Sequence, residues 1–109
     1  MLYIDGSTIK LTRGDTAYLT IPLTTEVGAY EIHPEDTLTF SVKKNTRDDE
    51  YAFQKVITGD NTFHILPEDT AGLVFGKYTY DVQLDDYNGD VFTVITPSTF
   101  EVLKEVTHR

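Results

Sequence analysis

Four oxygen-bearing side chains, Asp85, Asp86, Asn88 and Asp90, fall within six positions of one another, and hard cations such as Ca²⁺ take such ligands. The spacing lacks the order of a calcium-binding helix-loop-helix and its bidentate Glu, so a hairpin tip kept soluble by charge is the better account. Asp48-Asp49-Glu50 is a weaker set, because three consecutive acids point in different directions. His33, His64 and His108 are too dispersed to form a local ligand set. Ser7, Ser41 and Ser98 are the only serines, none sits in a Gly-x-Ser-x-Gly elbow, and cysteine is absent, so the usual nucleophiles lack supporting context. These residues assign no catalytic group, no metal and no cofactor, and the chain reads as a non-enzyme.

Two binding motifs remain. Arg13-Gly14-Asp15 matches the tripeptide of integrin ligands, in which a basic and an acidic side chain diverge across a glycine, but the same residue types serve an ordinary turn. Aromatic rings on a sandwich face can stack on pyranose rings, and Tyr87, at a hairpin tip, is the candidate binding residue. Tyr18, Tyr30 and Tyr51, like Tyr87, are less committed to core packing and stay open to that role, with Tyr87 the first to test. Tyr78 and Tyr80 share their strand face with Val82 and Leu84, which makes those four residues structural.

The elements that would hold these groups follow from period-two alternation. Tyr78, Tyr80, Val82 and Leu84 fall on one face of an extended chain, with Thr79, Asp81 and Gln83 on the other. Asn88-Gly89 then separates this run from Val91-Phe92-Thr93-Val94-Ile95, and Asn-Gly supplies the positive φ angles of tight hairpins. Upstream, residues 67–73 (Pro67-Glu68-Asp69-Thr70-Ala71-Gly72-Leu73) read as one helical turn or a compact corner, and Gly76 breaks the chain before the strand. A Tyr beside such a corner often ties its hydroxyl to upstream backbone, and Tyr78 is placed for it.

Along the rest of the chain, Leu2-Tyr3-Ile4 reads as an edge strand ended by Asp5-Gly6-Ser7. In Thr8–Thr12, Ile9 and Leu11 share a face. The chain doubles back at Arg13–Thr16. Leu19, Ile21 and Leu23 point inward on the next strand, where Pro22 marks an edge or bulge. Tyr30-Glu31-Ile32 is a minimal strand stopped by His33-Pro34-Glu35-Asp36, and Thr37–Lys43 alternates without a fault. Lys44–Glu50 is a polar loop. Tyr51–Ile57 is extended, with Phe53 and either Tyr51 or Val56 competing for the inside. Thr62–Leu66 is a short strand, and Thr96-Pro97-Ser98 separates the hairpin from a last strand at Thr99–Lys104. Turn signals about every ten residues predict one all-β domain over residues 1–109, a sandwich or small barrel.

Composition sets the limits. A chain of 109 residues can bury roughly 65% of its unfolded surface without disulfide or metal staples. Seven Tyr, six Phe and abundant Thr suit pleated surfaces better than helices. With 18 acidic against 9 basic residues the net charge is -9, which repels a phosphate backbone and argues against nucleic acid. The opening residues carry neither a basic region nor a long apolar run, which argues against a signal peptide or a membrane span.

Ile9–Thr16, Asp36–Lys44, Leu66–Thr70 and Gly76–Leu84, taken together, resemble small phage and prophage structural proteins of Gram-positive bacteria, and are similar to the N-terminal domain of siphophage baseplate upper proteins. The resemblance covers most of the chain. It implies an immunoglobulin-like antiparallel β-sandwich of about seven to nine strands, with the short helical turn near 67–73. It also implies a structural, assembly role in a tail or baseplate through protein–protein association, in a virion built in the bacterial cytoplasm. Other phage structural proteins, or further copies of the chain, are the implied partners. Unlike the longer baseplate proteins, this sequence ends at Arg109 without a helical linker or receptor-binding domain. A partner strand is expected on the N-terminal run or on the strand bearing Pro22. The alternative is a carbohydrate-binding module for a host cell-wall polysaccharide, acting through Tyr87.

Overall fold

Alternating apolar and polar side chains force extended segments to lay one face on a common core. The computed structural model describes residues 2–5, 7–25 and 27–107. Among them lie ten strands and one short helix: β1 (Leu2–Asp5), β2 (Thr8–Thr12), β3 (Ala17–Thr20), β4 (Thr24–Thr25), β5 (Gly28–Ala29), β6 (Thr37–Lys43), β7 (Phe53–Thr58), β8 (Thr62–Ile65), α1 (Pro67–Ala71), β9 (Gly76–Asp85) and β10 (Val91–Leu103). The fold is therefore all-β with one short helix. Gly6 and His108 lie outside the described residues.

Six strands form one sheet in the order β1-β2-β10-β9-β6-β7, while β3 pairs with β8 and β4 with β5 in two small sheets. Every pairing is antiparallel except β2 with β10, so the large sheet is mixed, not purely antiparallel. No hairpin dictates the direction of two strands so far apart in the chain. The Arg13–Thr16 turn carries the chain across to the other layer, since β3 pairs with β8 and not with β2.

The core lies between the large sheet and the β3–β8 pair. Tyr78, Tyr80, Val82 and Leu84 of β9 are buried beside Leu38, Phe40 and Val42 of β6, and they face Leu19, Phe63 and Ile65 from the smaller layer. Phe40 is the hub, with the rings of Phe63, Tyr80 and Phe100 at 5.5, 5.2 and 6.1 Å. Each large side chain so buried contributes about 1.5–3 kcal/mol.

The corner is built from short-range chemistry. Pro67 opens α1 where a missing amide costs nothing, and Asp69 accepts the Leu66 amide at 2.7 Å. Lys55 of β7 reaches the same carboxylate at 2.7 Å. The Tyr78 hydroxyl donates to the Val74 carbonyl at 2.9 Å, tying β9 to the corner before it.

Several boundaries differ from expectation. Tyr30–Ile32 is not a strand; the pairing falls on β4 and β5 just before it. Thr96-Pro97-Ser98 does not end a strand, because β10 runs through it with register shifts between Thr93 and Ile95 and between Ile95 and Ser98. Such irregularities accommodate a residue that has no amide to donate. In β7 the inward residues are Phe53, Lys55 and Ile57, leaving Tyr51 and Val56 exposed. The hairpin loop spans Asp86–Asp90, and only Gly89 has a positive φ, at 86°. Asn88 does not, so the loop is a turn closed from the Gly89 amide to the Asp86 carbonyl, with glycine in the left-handed position after it.

Candidate docking edge at the hairpin tip

β10 runs on past the end of β2, while its other neighbour β9 stays paired with β6 as far as Asp85. β2 pairs only with Phe100–Leu103, so among the described residues no strand lies on the second flank of β10 from Val91 to Thr99. The Tyr80 hydroxyl donates to the Ser7 carbonyl, fixing the chain where it enters β2. Above that point the β10 backbone presents one row of amides and carbonyls without a ladder. Val91 is 61% and Phe92 51% exposed on this stretch.

Phe92 stands opposite Leu84, whose side chain faces inward, so both lie on the inner face of the sheet. Beyond the end of the core this face meets the Pro22–Thr25 segment and Tyr30. Between them is a hollow of about 440 Å³ lined by Leu23, Thr25, Tyr30, Leu84, Phe92 and Val94.

One carboxylate holds the tip in place. Asp36, 2% exposed, accepts the Tyr30 hydroxyl at 2.6 Å and the His33 amide at 2.9 Å on Oδ2, and the Tyr87 amide at 2.9 Å on Oδ1. Burial opposes ionisation of Asp36 more than any single contact favours it, yet these three donors together hold its carboxyl below the usual range. The same hydrogen bond, with burial and the nearby charge, pushes Tyr30 up to about 12. Tyr87 itself is 51% exposed and stacks on His33 at 4.1 Å, so one ring face is backed by the imidazole.

The other candidates are accounted for by structure. Arg13 is engaged within the fold and is not held out as the basic end of a presented tripeptide. Its Nη2 and Nε meet Glu105 at 2.6 and 3.1 Å, its Nη1 donates to the Leu73 carbonyl at 3.1 Å, and its guanidinium covers Phe75 at 4.2 Å. Asp86 Oδ1 accepts the amides of Asn88 and Asp90, shaping the loop from within. Among the described residues no three His, Asp or Glu side chains converge as metal ligands. Asp48 accepts the Asn45 amide inside its own loop, at 3.2 Å. His64 stacks on Tyr18 at 4.4 Å. Ser41 accepts from Gln54, and Ser98 donates to the Thr96 carbonyl. The outer sheet face carries a polar hollow of about 310 Å³ bordered by Thr39, Ser41, Lys43, Tyr51, Gln54 and Asp81. No described helix is long and apolar enough to cross a membrane.

Asp36 is the residue that sequence reasoning missed, and a signal for it exists. It occupies the inward phase of Leu38, Phe40 and Val42, where a carboxylate must find donors. The chain matches no family model, and no curated protein matches it.

Proposed function

We propose that this chain is a structural, assembly module of a phage or prophage tail or baseplate, acting through protein–protein association on an immunoglobulin-like sandwich. The single observation that carries this reading is the half of β10 that no described strand flanks on its second side, where Val91 and Phe92 stand exposed. Such an edge is a template for another chain and is ordinarily blunted by charge or cover. The partners are other phage structural proteins or further copies of the chain, within the virion. An acidic chain of net charge -9 is poorly suited to nucleic acid.

The test is recovery of tagged protein from a phage lysate, with mass spectrometry of what accompanies it. Tail or baseplate proteins should appear with the native chain and be lost with Phe92→Asp. A protein that stays monomeric at high concentration and recovers no tail component defeats the proposal.

A second reading has its own support in the half-exposed Tyr87 ring backed by His33, a stacking platform for a cell-wall sugar. Glycan-array binding lost in Tyr87→Ala favours it, and a blank array removes it.

A further inference from the structure

We propose that the open flank of β10, Val91 to Pro97, takes up an extended segment of another protein as an added strand, with Lys or Arg in that segment and one apolar side chain seated between Phe92 and Leu23. This rests on the association reading above and says what kind of segment is bound and where.

Three observations converge on it. An added strand continues the sheet, so alternate side chains must fall on its inner face. On that face, next to Phe92 and Val94, lies the open hollow of about 440 Å³ into which an inward side chain of the added strand could reach. The flank carries two register shifts and Pro97 toward its far end, but it lacks the basic guard that edges commonly use. No Lys or Arg occurs between Tyr78 and Leu103, and the only proline there is Pro97, at the far end of the stretch.

Charge selects the occupant. The segments that border the hollow supply Glu31, Asp85, Asp86 and Asp90 and no basic residue from Ala17 to Ile32 or from Tyr78 to Leu103. A second copy pairing edge to edge would bring up another chain of net charge -9, with no basic residue on its own edge strand to offset these acids. Like charges juxtaposed at an interface cost affinity and slow encounter, while a cationic strand gains on both counts. The occupant is therefore a basic, alternating segment and not this chain.

The probe is a capped heptapeptide alternating valine and lysine, added up to about 1 mM to the full chain, a range that reveals even weak binding. Amide hydrogen exchange and amide chemical shifts are followed residue by residue. The lysine peptide should slow exchange at those amides between Val91 and Pro97 that point away from β9, less so as salt is raised. The glutamate counterpart should bind at least about tenfold more weakly. Lysine peptides N-methylated on alternate residues, one for each phase, should differ, with the phase that removes the pairing amides abolishing protection. Phe92→Ser, checked for an unchanged circular-dichroism spectrum, should weaken binding.

Absence of protection at 91–97, protection confined to β7, or equal binding of the glutamate peptide overturns the inference. If tail proteins are recovered while the 91–97 amides in that complex remain unprotected, association stands and the strand site falls. If the lysine peptide binds as described but no tail protein is recovered, the site stands and the tail role falls.

Discussion

The Tyr30 hydroxyl donates to the Asp36 carboxylate at 2.6 Å, and this contact joins the segment before β6 to the tip of the β9–β10 hairpin, because the other oxygen of Asp36 accepts the Tyr87 amide. A buried charge with three donors organises a region that has little apolar packing of its own. Asp36→Ala strands those donors and is expected to cost about 3 kcal/mol in urea unfolding. Tyr30→Phe removes one of them and is expected to cost about 1–2 kcal/mol. If both variants unfold at the native midpoint, Asp36 is not the anchor of the tip.

The pH dependence follows from the same pair. Tyr30 in the folded chain holds its proton up to about 12 against an ordinary value of 10.0, so the folded state binds the extra proton between those limits. Its contribution is complete below pH 10 and is lost as pH rises toward 12. Asp36 behaves in the opposite sense. Its folded value is lowered from 3.8, so its contribution is present above that pH and disappears as pH falls through the lower folded value. Stability profiles of the native chain and Tyr30→Phe should diverge least in the alkaline window, where the native chain has lost the advantage. Parallel profiles from neutral pH to 12 contradict this account.

Arg13 and Glu105 should be energetically coupled. The bidentate geometry, the Leu73 carbonyl and the Phe75 face all suit a planar guanidinium, and the hydrogen bonds to Glu105 hold its proton more tightly than usual. A double-mutant cycle with Arg13→Ala and Glu105→Gln should show a favourable coupling, most of which Arg13→Lys fails to restore. Additive effects would mean that the pair is a surface contact without consequence.

Two glycines separate backbone strain from crowding. Gly59 has φ +72° and a Cβ there would meet the Pro34 carbonyl oxygen at 3.0 Å, whereas Gly89, at φ +86°, has nothing within 4 Å. Gly89→Ala should cost about 1–2 kcal/mol from the left-handed conformation alone. Gly59→Ala should cost more, because the Pro34 backbone must also shift. Equal losses would show that Pro34 gives way freely.

The strands that form the two layers were legible wherever alternation was clean. Thr37–Lys43 and the Tyr78–Leu84 face appear in the fold as their pattern dictates, and the corner tyrosine makes its backbone contact. Three charged residues carried information that polarity alone concealed. Arg13 extends the phase of Ile9 and Leu11, Asp36 precedes that of Leu38, and Lys55 sits between Phe53 and Ile57. Each lies on the inward phase and makes a hydrogen-bonded or ionic tie: Arg13 with Glu105, Asp36 with Tyr30, Lys55 with Asp69. The partners could not be named from sequence because they depend on long-range placement. The open edge of β10 was hidden for a related reason. The sequence shows the apolar run that opens β10, but only the register with β2 shows that its upper half lacks a neighbouring strand among the described residues.

The parallel seam between β2 and β10 pairs Ile9 with Phe100, contacts that span most of the polypeptide. On the ribosome, the seam cannot close until Leu103 has emerged, so the early strands wait until the last strand of the sheet has been made. Such distant pairings raise contact order and slow folding, which makes the completion of this sheet the step most exposed to misassembly.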